Sequence, residues 1–425
     1  MSRVLRRIGT LALSITIGLV AFAATAAAGI VQSGQPSPSN VAGTTRAHQP
    51  APRKAKALFN VAVVLGQSGS DAADVLAPYE VLASSPDFAV YTIAASTKPA
   101  ALDGGMSVDP DYTFADVASG TAPAPDLIVV PAVNLPDGPE EQAARDFVVN
   151  RYADGARILG ICAGSRLLSA TGILNGLTAT SHWSRIAALK ESNPEVSWVR
   201  GQRYVQDGRV TTTGGVTSSI SGALKVIADM AGSAEAIRVG GEIAYPGWTL
   251  GQTTSIPKAS FGIADAAVLL NTVFPWGRPS FNIELPDGVG EIDAAAVFEV
   301  YSYSQSALTR AVSSTGSVRT KHGLVLLTEL VGDAAEGQTL VAGGLESSSG
   351  FGGLDAAFEQ LGRSVSPALV VSVGKMLEYP LDRVAPASTQ TTDQWRAPGL
   401  LALAILLAAG LGALPPFAGR LRRRT

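Results

Sequence analysis

The stretch Arg157-Ile158-Leu159-Gly160-Ile161-Cys162-Ala163-Gly164-Ser165 runs from an apolar strand through a Gly-x-Cys-x-Gly turn into the helical run Arg166 to Ala170. That order predicts a strand-to-helix elbow with the Cys162 sulfur at its tip. Gly160 and Gly164 permit a sharp turn and close approach of neighbouring chain. A helix N-terminus beneath the sulfur favours thiolate over thiol, because its unpaired N–H groups carry partial positive charge. Cys162 is the only cysteine of the 425 residues, so no internal disulfide forms. A lone cysteine is often a small buried hydrophobe. A core cysteine does not require glycine two residues before and after it, so the elbow points to a reactive or ligand-facing thiol.

Outward from the elbow, strands alternate with helical patterns. Asn60 to Leu65, Val90 to Ala95, Leu127 to Pro131 and Ile158 to Ile161 are apolar, β-prone runs of the kind buried on both faces of a parallel sheet. Between them, Asp71 to Ser84 reads as a helix with Val75, Tyr79 and Leu82 on its inner face, and Glu140 to Tyr152 as another. A short strand from Leu177 to Thr180, a strand from Arg209 to Thr212 and a helix from Ile220 to Met230 continue the alternation. The pattern predicts an α/β fold with a flavodoxin-like doubly wound parallel sheet. Ligands then bind beyond the carboxyl ends of the strands, where Gly66, Pro131 and Cys162 sit.

The elbow, the segment Thr178-Ala179-Thr180-Ser181-His182-Trp183 and the earlier Asp74-Val75-Leu76-Ala77-Pro78-Tyr79-Glu80-Val81-Leu82 together resemble the DJ-1/PfpI superfamily, of class I glutamine amidotransferase-like fold. The likeness is strongest to its isonitrile hydratase-like members and to the sensor domains of AraC-type regulators, and covers about Asn60 to Gly232. The resemblance implies that Asp74 contacts the nucleophilic Cys162, tuning its pKa or carrying a proton; an acid at a helix start also serves as a cap. His182 can orient the thiolate or shuttle a proton, since its ordinary pKa is near neutrality. Trp183 is expected to wall the pocket, and Gly214 and Gly215 to turn backbone N–H groups toward it. Glu80 reads as structural. Protease-like members carry His directly after the nucleophile and isonitrile hydratases carry Thr, whereas this chain has Ala163. Protease and glutaminase mechanisms therefore lose their general base.

The chain ends are apolar. Arg3, Arg6 and Arg7 precede an uncharged run from Ile8 to Val31, which suits either a signal anchor or a cleaved signal peptide over residues 1–31. Pro398 to Phe417 is a second such run, closed by a basic tail over 418–425, and predicts a transmembrane helix over 398–417. Residues 32–56 read as a flexible stalk and 386–397 as a polar spacer. Charged residues make up 16% and hydrophobic residues 46% of the chain, which fits membrane segments. With arginines at both ends, the central domain is expected outside the cytoplasmic side of a cell membrane. The net charge of −3 and the lack of a helix-turn-helix pattern argue against nucleic acid. No cofactor and no metal is called for.

After the domain over 57–232 comes a linker over 233–280, containing Gly240-Gly241-Glu242 and a helix from Ala259 to Val273. The chain then begins again. Phe281 to Leu285 mirrors the first strand, and Asp293-Ala294-Ala295-Ala296-Val297-Phe298-Glu299-Val300 repeats the Asp-to-Glu spacing of Asp74 to Val81. Thr309 to Ser313 and Leu340 to Gly343 match the next strands, followed by helical runs over Leu354 to Leu361 and Ala368 to Tyr379. Residues 281–385 thus read as a degenerate repeat without an elbow cysteine. Because relatives of this fold commonly dimerise, the repeat is expected to act as an intrachain pseudo-dimer partner, with a homodimer as the other arrangement. Two functions stay open: cysteine chemistry on a small electrophile (hydration, hydrolysis or thiol redox) and non-catalytic binding of a small-molecule ligand.

Overall fold

The protein is described by a computed structural model covering residues 2–33, 56–245, 249–334, 336–344, 352–380, 382 and 396–413. The stalk over 32–56, the spacer over 386–397, residues 414–417 and the basic tail over 418–425 lie almost wholly or wholly outside the described residues.

Helix α1 (Ser2–Ser33) precedes an alternation of β1 (Phe59–Val64), α2 (Ala72–Ala83), β2 (Phe88–Ala94), the hairpin β3 (Ala100–Leu102) and β4 (Met106–Val108), β5 (Tyr112–Thr113) and α3 (Phe114–Ser119). Next come β6 (Leu127–Val130), α4 (Gln142–Ala153), β7 (Arg157–Gly160) and the elbow helix α5 (Gly164–Ala170). Strands β8 (Thr178–Ala179) and β9 (Ser197–Trp198) flank α6 (Ile186–Ser192), before β10 (Tyr204–Asp207), β11 (Val210–Thr213), α7 (Ser218–Met230) and α8 (Ser233–Ile243). The main sheet has the order β10-β11-β7-β6-β1-β2-β5 and is parallel except for the β10–β11 hairpin. Along β1, Val61 and Val63 enter one core while Ala62 and Val64 enter the other, so the sheet is covered on both faces.

The second half contains α9 (Ala266–Val273), β12 (Ser280–Glu284), α10 (Glu291–Ser304), β13 (Leu308–Ser313), β14 (Ser317–Arg319), β15 (Val325–Leu327), β16 (Glu329–Leu330) and β17 (Gln338–Val341). It ends with α11 (Gly352–Gly362), α12 (Pro367–Leu377) and α13 (Arg396–Ala413). Its parallel sheet has the order β16-β13-β12-β17, which reproduces β5-β2-β1-β6 position for position. A third sheet joins the two halves: hairpin β3–β4 meets hairpin β14–β15 through the antiparallel pair Val108 and Leu326.

Helix α2 is sandwiched between the main sheet and α10, and all of its residues are buried, Asp74 and Glu80 included. The one-sided burial expected from Val75, Tyr79 and Leu82 is therefore too narrow, because α10 covers the other side. Two further expectations differ. Gly240 and Gly241 lie inside α8 rather than in a linker, since Ala236, Val239 and Ile243 bury one helical face against the neighbouring helices. The helix expected from Ala259 begins only at Ala266, after a single 3-10 turn whose Asp265 carboxylate accepts the Gly262 amide at 2.7 Å.

Helices α1 and α13 pack on each other and on α9. Among the described residues, Thr16–Ser33 is the one segment long and apolar enough to cross a membrane by length and composition.

Candidate active site

Strand β7 delivers Cys162 to the carboxyl edge of the sheet with φ 51, a left-handed conformation that side chains other than glycine adopt at a cost. The two glycines make this possible through close approach. A Cβ on Gly164 would stand 2.1 Å from the Val130 carbonyl oxygen, and one on Gly160 would stand 2.6 Å from a Leu168 methyl. The Cys162 amide donates to Thr213 Oγ1 at 3.1 Å, and its carbonyl accepts from Ser165 Oγ at 3.2 Å and Ser181 Oγ at 3.1 Å. The bend is thus braced from three elements.

Cys162 is 2% exposed and lines a crevice of about 410 Å³, with Ala163 beside it. Asp71, Asp103, Arg166, His182 and Tyr303 also line it. Asp74 lies behind the thiol. One carboxyl oxygen accepts the Ala132 amide at 3.0 Å; the other, Oδ1, is buried with no partner in hydrogen-bond geometry. The nearby Cys162 thiol lowers the Asp74 pKa slightly, but burial and the neighbouring Asp71 raise it well above the carboxylate range. Burial, then Asp74 and Asp71, likewise push the Cys162 thiol well above its ordinary value. This corrects the expected thiolate: the Ala163 amide favours the anion, but desolvation outweighs it. Thiol and acid thus stand side by side, each with its ionised form disfavoured by burial and by the charge of its neighbours.

The acids form a cluster that crosses the two halves. Asp71 caps α2 by accepting the Asp74 amide at 3.1 Å, and its other oxygen accepts the Tyr303 hydroxyl at 3.0 Å. Glu299 accepts the Ala73 amide at 2.8 Å. Burial raises Asp103 to about 7 and Glu299 well above the ordinary range.

His182 lines the crevice, but both ring nitrogens are engaged elsewhere: Nε2 with the Met376 carbonyl at 2.8 Å and Nδ1 with Ser184 Oγ at 2.7 Å. Burial lowers its pKa to about 4. The expected partnership with the thiol is corrected accordingly; the ring fastens α12 to the elbow domain. Trp183 does not wall the crevice. It packs on Phe261 at 4.8 Å between ring centroids and donates to the Lys375 carbonyl at 3.2 Å. Gly214 and Gly215 do not face it either, since their amides donate to the Arg203 carbonyl at 2.8 Å and to Glu378 at 2.6 Å. A carbonyl just ahead of the β10–β11 hairpin and a carboxylate from a distant segment take up the donors that a strand-to-helix turn leaves open.

Sequence reading missed Asp71, Asp103, Arg166, Glu299 and Tyr303. For Glu299 a signal existed in the repeated Asp-to-Glu spacing. Outside the crevice, Glu80, Glu291 and His322 offer ligand atoms within 4.8 Å of one another. These groups are occupied with one another and with backbone: His322 Nδ1 meets Glu291 at 2.8 Å, Glu80 accepts the Ile292 amide at 2.7 Å, and Lys321 stands 4.0 Å from Glu80. The trio joins the halves rather than offering open coordination positions.

An acid-paired cysteine on the elbow of a flavodoxin-like parallel sheet defines a class of proteins. Residues 60–229 match the DJ-1/PfpI family. The chain is 31% identical over 192 residues to the isonitrile hydratase of Pseudomonas putida, covering 44% of this chain and 80% of that protein. It belongs to the DJ-1/PfpI family. It is also 28% identical over 172 residues to the HTH-type transcriptional regulator GlxA of Rhizobium meliloti (strain 1021), spanning 40% of this chain and 52% of the regulator. The solved structure of a THiJ/PfpI family protein from Pseudomonas syringae aligns with 24% identity and a TM-score of 0.41, over 52% of this chain and 89% of that one.

Proposed function

We propose that the protein is a cysteine-dependent enzyme that adds a thiol and then water across a small electrophilic carbon, of which an isonitrile is the first to test. The observation that carries this reading is Cys162, held at a left-handed backbone angle on the wall of a crevice, with the buried Asp74 carboxyl beside it. With an isonitrile, Sγ bonds to the terminal carbon while the proton held by the Cys162–Asp74 pair passes to that carbon, giving a thioimidate. Water then attacks the same carbon and the thiol leaves with its proton restored, releasing an N-substituted formamide. A carboxyl whose burial favours its protonated form suits this task, because it can pass a proton to the substrate carbon and take the thiol proton in its place. The test is conversion of an alkyl isonitrile by the full chain. Cys162→Ala should abolish it, and Asp74→Asn should lower the rate about 10²–10⁴-fold.

A second reading, a binding module that keeps the pocket without chemistry, is favoured by the raised thiol pKa and by the commitment of His182 to α12. No turnover by wild type, with ligand-induced stabilisation retained in Cys162→Ala, would select it.

We further propose that α1 is a retained anchor and that α1 and α13 hold the crevice domain at the outer face of a cell membrane. The support is that α1 is built into the fold: Ser33 Oγ donates to the Thr272 carbonyl at 2.7 Å, and a Cβ on Gly29 would overlap the Val273 carbonyl at 1.8 Å. Residues 281–385 are read as a degenerate duplicate of the first half serving as an intrachain partner, supported by the matching strand order of the two sheets.

A further inference from the structure

Helix α9 serves two neighbours. Val268 and Thr272 line the crevice together with Cys162. The same helix and the residues just after it receive both terminal helices. Ser33 of α1 bonds to Thr272 at 2.7 Å, Phe22 meets Phe274 with ring centroids 6.4 Å apart, and Arg396 of α13 donates to the Phe274 and Trp276 carbonyls at 3.0 and 2.9 Å. The wall of the crevice and the root of the terminal helices are therefore one element.

Around that root the surface is apolar. Ile263 is 96% exposed, Phe261 66%, Leu269 62% and Trp276 36%. Four large side chains exposed between Phe261 and Trp276 mark an interaction surface. Beside two apolar helices, with a tryptophan among them, the matching partner is the headgroup boundary of a bilayer. The crevice rim, in contrast, carries Arg166, half-buried, and Arg185, exposed. Arg185 stands near enough to oppose the charge on Arg166, and the carboxylate nearest Arg166, Asp137 at 3.7 Å, is itself 73% exposed and weakly coupled. Two cations lining one crevice, with Asp71 buried and Asp103 half-buried on its wall, suit an anionic group at the rim.

We propose that the crevice is filled from the bilayer by an amphiphile whose anionic head lies between Arg166 and Arg185 and whose hydrocarbon chain passes over α9 into the membrane. This rests on the anchoring reading, and it narrows the substrate of the Cys162 site to a membrane-resident molecule. Val268 and Thr272 supply the surface the chain crosses, and Ile263 and Leu269 keep that surface in contact with lipid.

The test uses the full chain in phosphatidylcholine vesicles, with diazirine-bearing palmitic acid as the probe and a water-soluble diazirine-bearing butanoic acid as its comparison. After photolysis, adducts are mapped by peptide mass. The expected result is palmitate adducts on α9 and on the peptides carrying Cys162 and Arg166, in addition to α1 and α13, with the butanoate adducts at the crevice at least about tenfold weaker. The Ile263→Asp/Leu269→Asp variant should lose about tenfold of the crevice labelling while α1 is labelled as before. Palmitate adducts confined to α1 and α13, or equal crevice labelling by the two probes in wild type, would overturn this inference alone. Release of the protein from the vesicles by alkaline carbonate would overturn the anchoring reading and this inference with it. The wild-type comparison of probes stands even where the double variant fails to fold.

Discussion

Glu299 accepts the backbone amide of Ala73 at 2.8 Å, at the second residue of α2, while Glu80 accepts the amide of Ile292 at 2.7 Å, at the second residue of α10. Each half of the chain thus caps the helix of the other with the glutamate that ends its Asp-to-Glu motif. The exchange ties the helix that carries Asp74 to the second half, and with it the acid beside Cys162. Helix N-termini need such acceptors because their first amides have no partner within the helix.

Removing either cap takes a carboxylate acceptor from a buried helix-end amide. Glu299→Ala and Glu80→Ala are each expected to cost about 1–3 kcal/mol in chemical denaturation. Glu299→Gln, which keeps a carbonyl acceptor, should cost less. Equal losses for Glu299→Gln and Glu299→Ala would show that the amide bond to Ala73 is not what the side chain contributes.

Two buried groups give stability opposite pH dependences. Burial raises Glu80 from 4.5 to about 7, so its contribution is fully present below pH 4.5 and is lost as pH rises through 7. Burial lowers His182 from 6.5 to about 4, so its contribution is present above pH 6.5 and is lost as pH falls through 4. The stability difference between wild type and Glu80→Gln should fall by about 3 kcal/mol across the first window. That between wild type and His182→Asn should rise by about 3 kcal/mol across the second, on going up in pH. Flat differences would place both groups in water.

Alkylation of Cys162 by iodoacetamide should follow a pH curve displaced above that of a free cysteine, since burial and then Asp74 oppose the thiolate. Asp74→Asn removes one opposing charge, and its curve should lie at lower pH than that of wild type. A wild-type curve at or below that of free cysteine would mean that the helix N-terminus, not desolvation, governs the sulfur.

Glycine substitutions separate close approach from open space. Gly164→Ala brings a methyl to 2.1 Å from the Val130 oxygen and is expected to cost on the order of 3 kcal/mol or more, read as loss of the folded protein on expression. Gly241→Ala, in α8 with nothing within 4 Å, should raise stability by up to about 1 kcal/mol.

The residues from Arg157 to Ala170 state the elbow locally: an apolar strand, two glycines around a cysteine and a helical run are all short-range features. Strands β1, β2, β6 and β7 are equally legible, because runs such as Asn60 to Leu65 and Leu127 to Val130 must be buried on both faces wherever they lie; the short β3, β4 and β5 carry no such run. The repeat of Asp74…Glu80 as Asp293…Glu299 was visible for the same reason, as a spacing within one helix. Sequence alone could not say whether Cys162 is thiol or thiolate, since that balance depends on how deeply the sulfur is buried and on carboxyls brought in by α2. Tyr303 and Glu299 reach the site only because α10 packs against α2. His182 leaves the proton path only because α12 offers the Met376 carbonyl. Burial, and the charges and acceptors that arrive from far along the chain, are properties of the packed chain; periodicity and spacing record only what neighbours along the chain impose on one another.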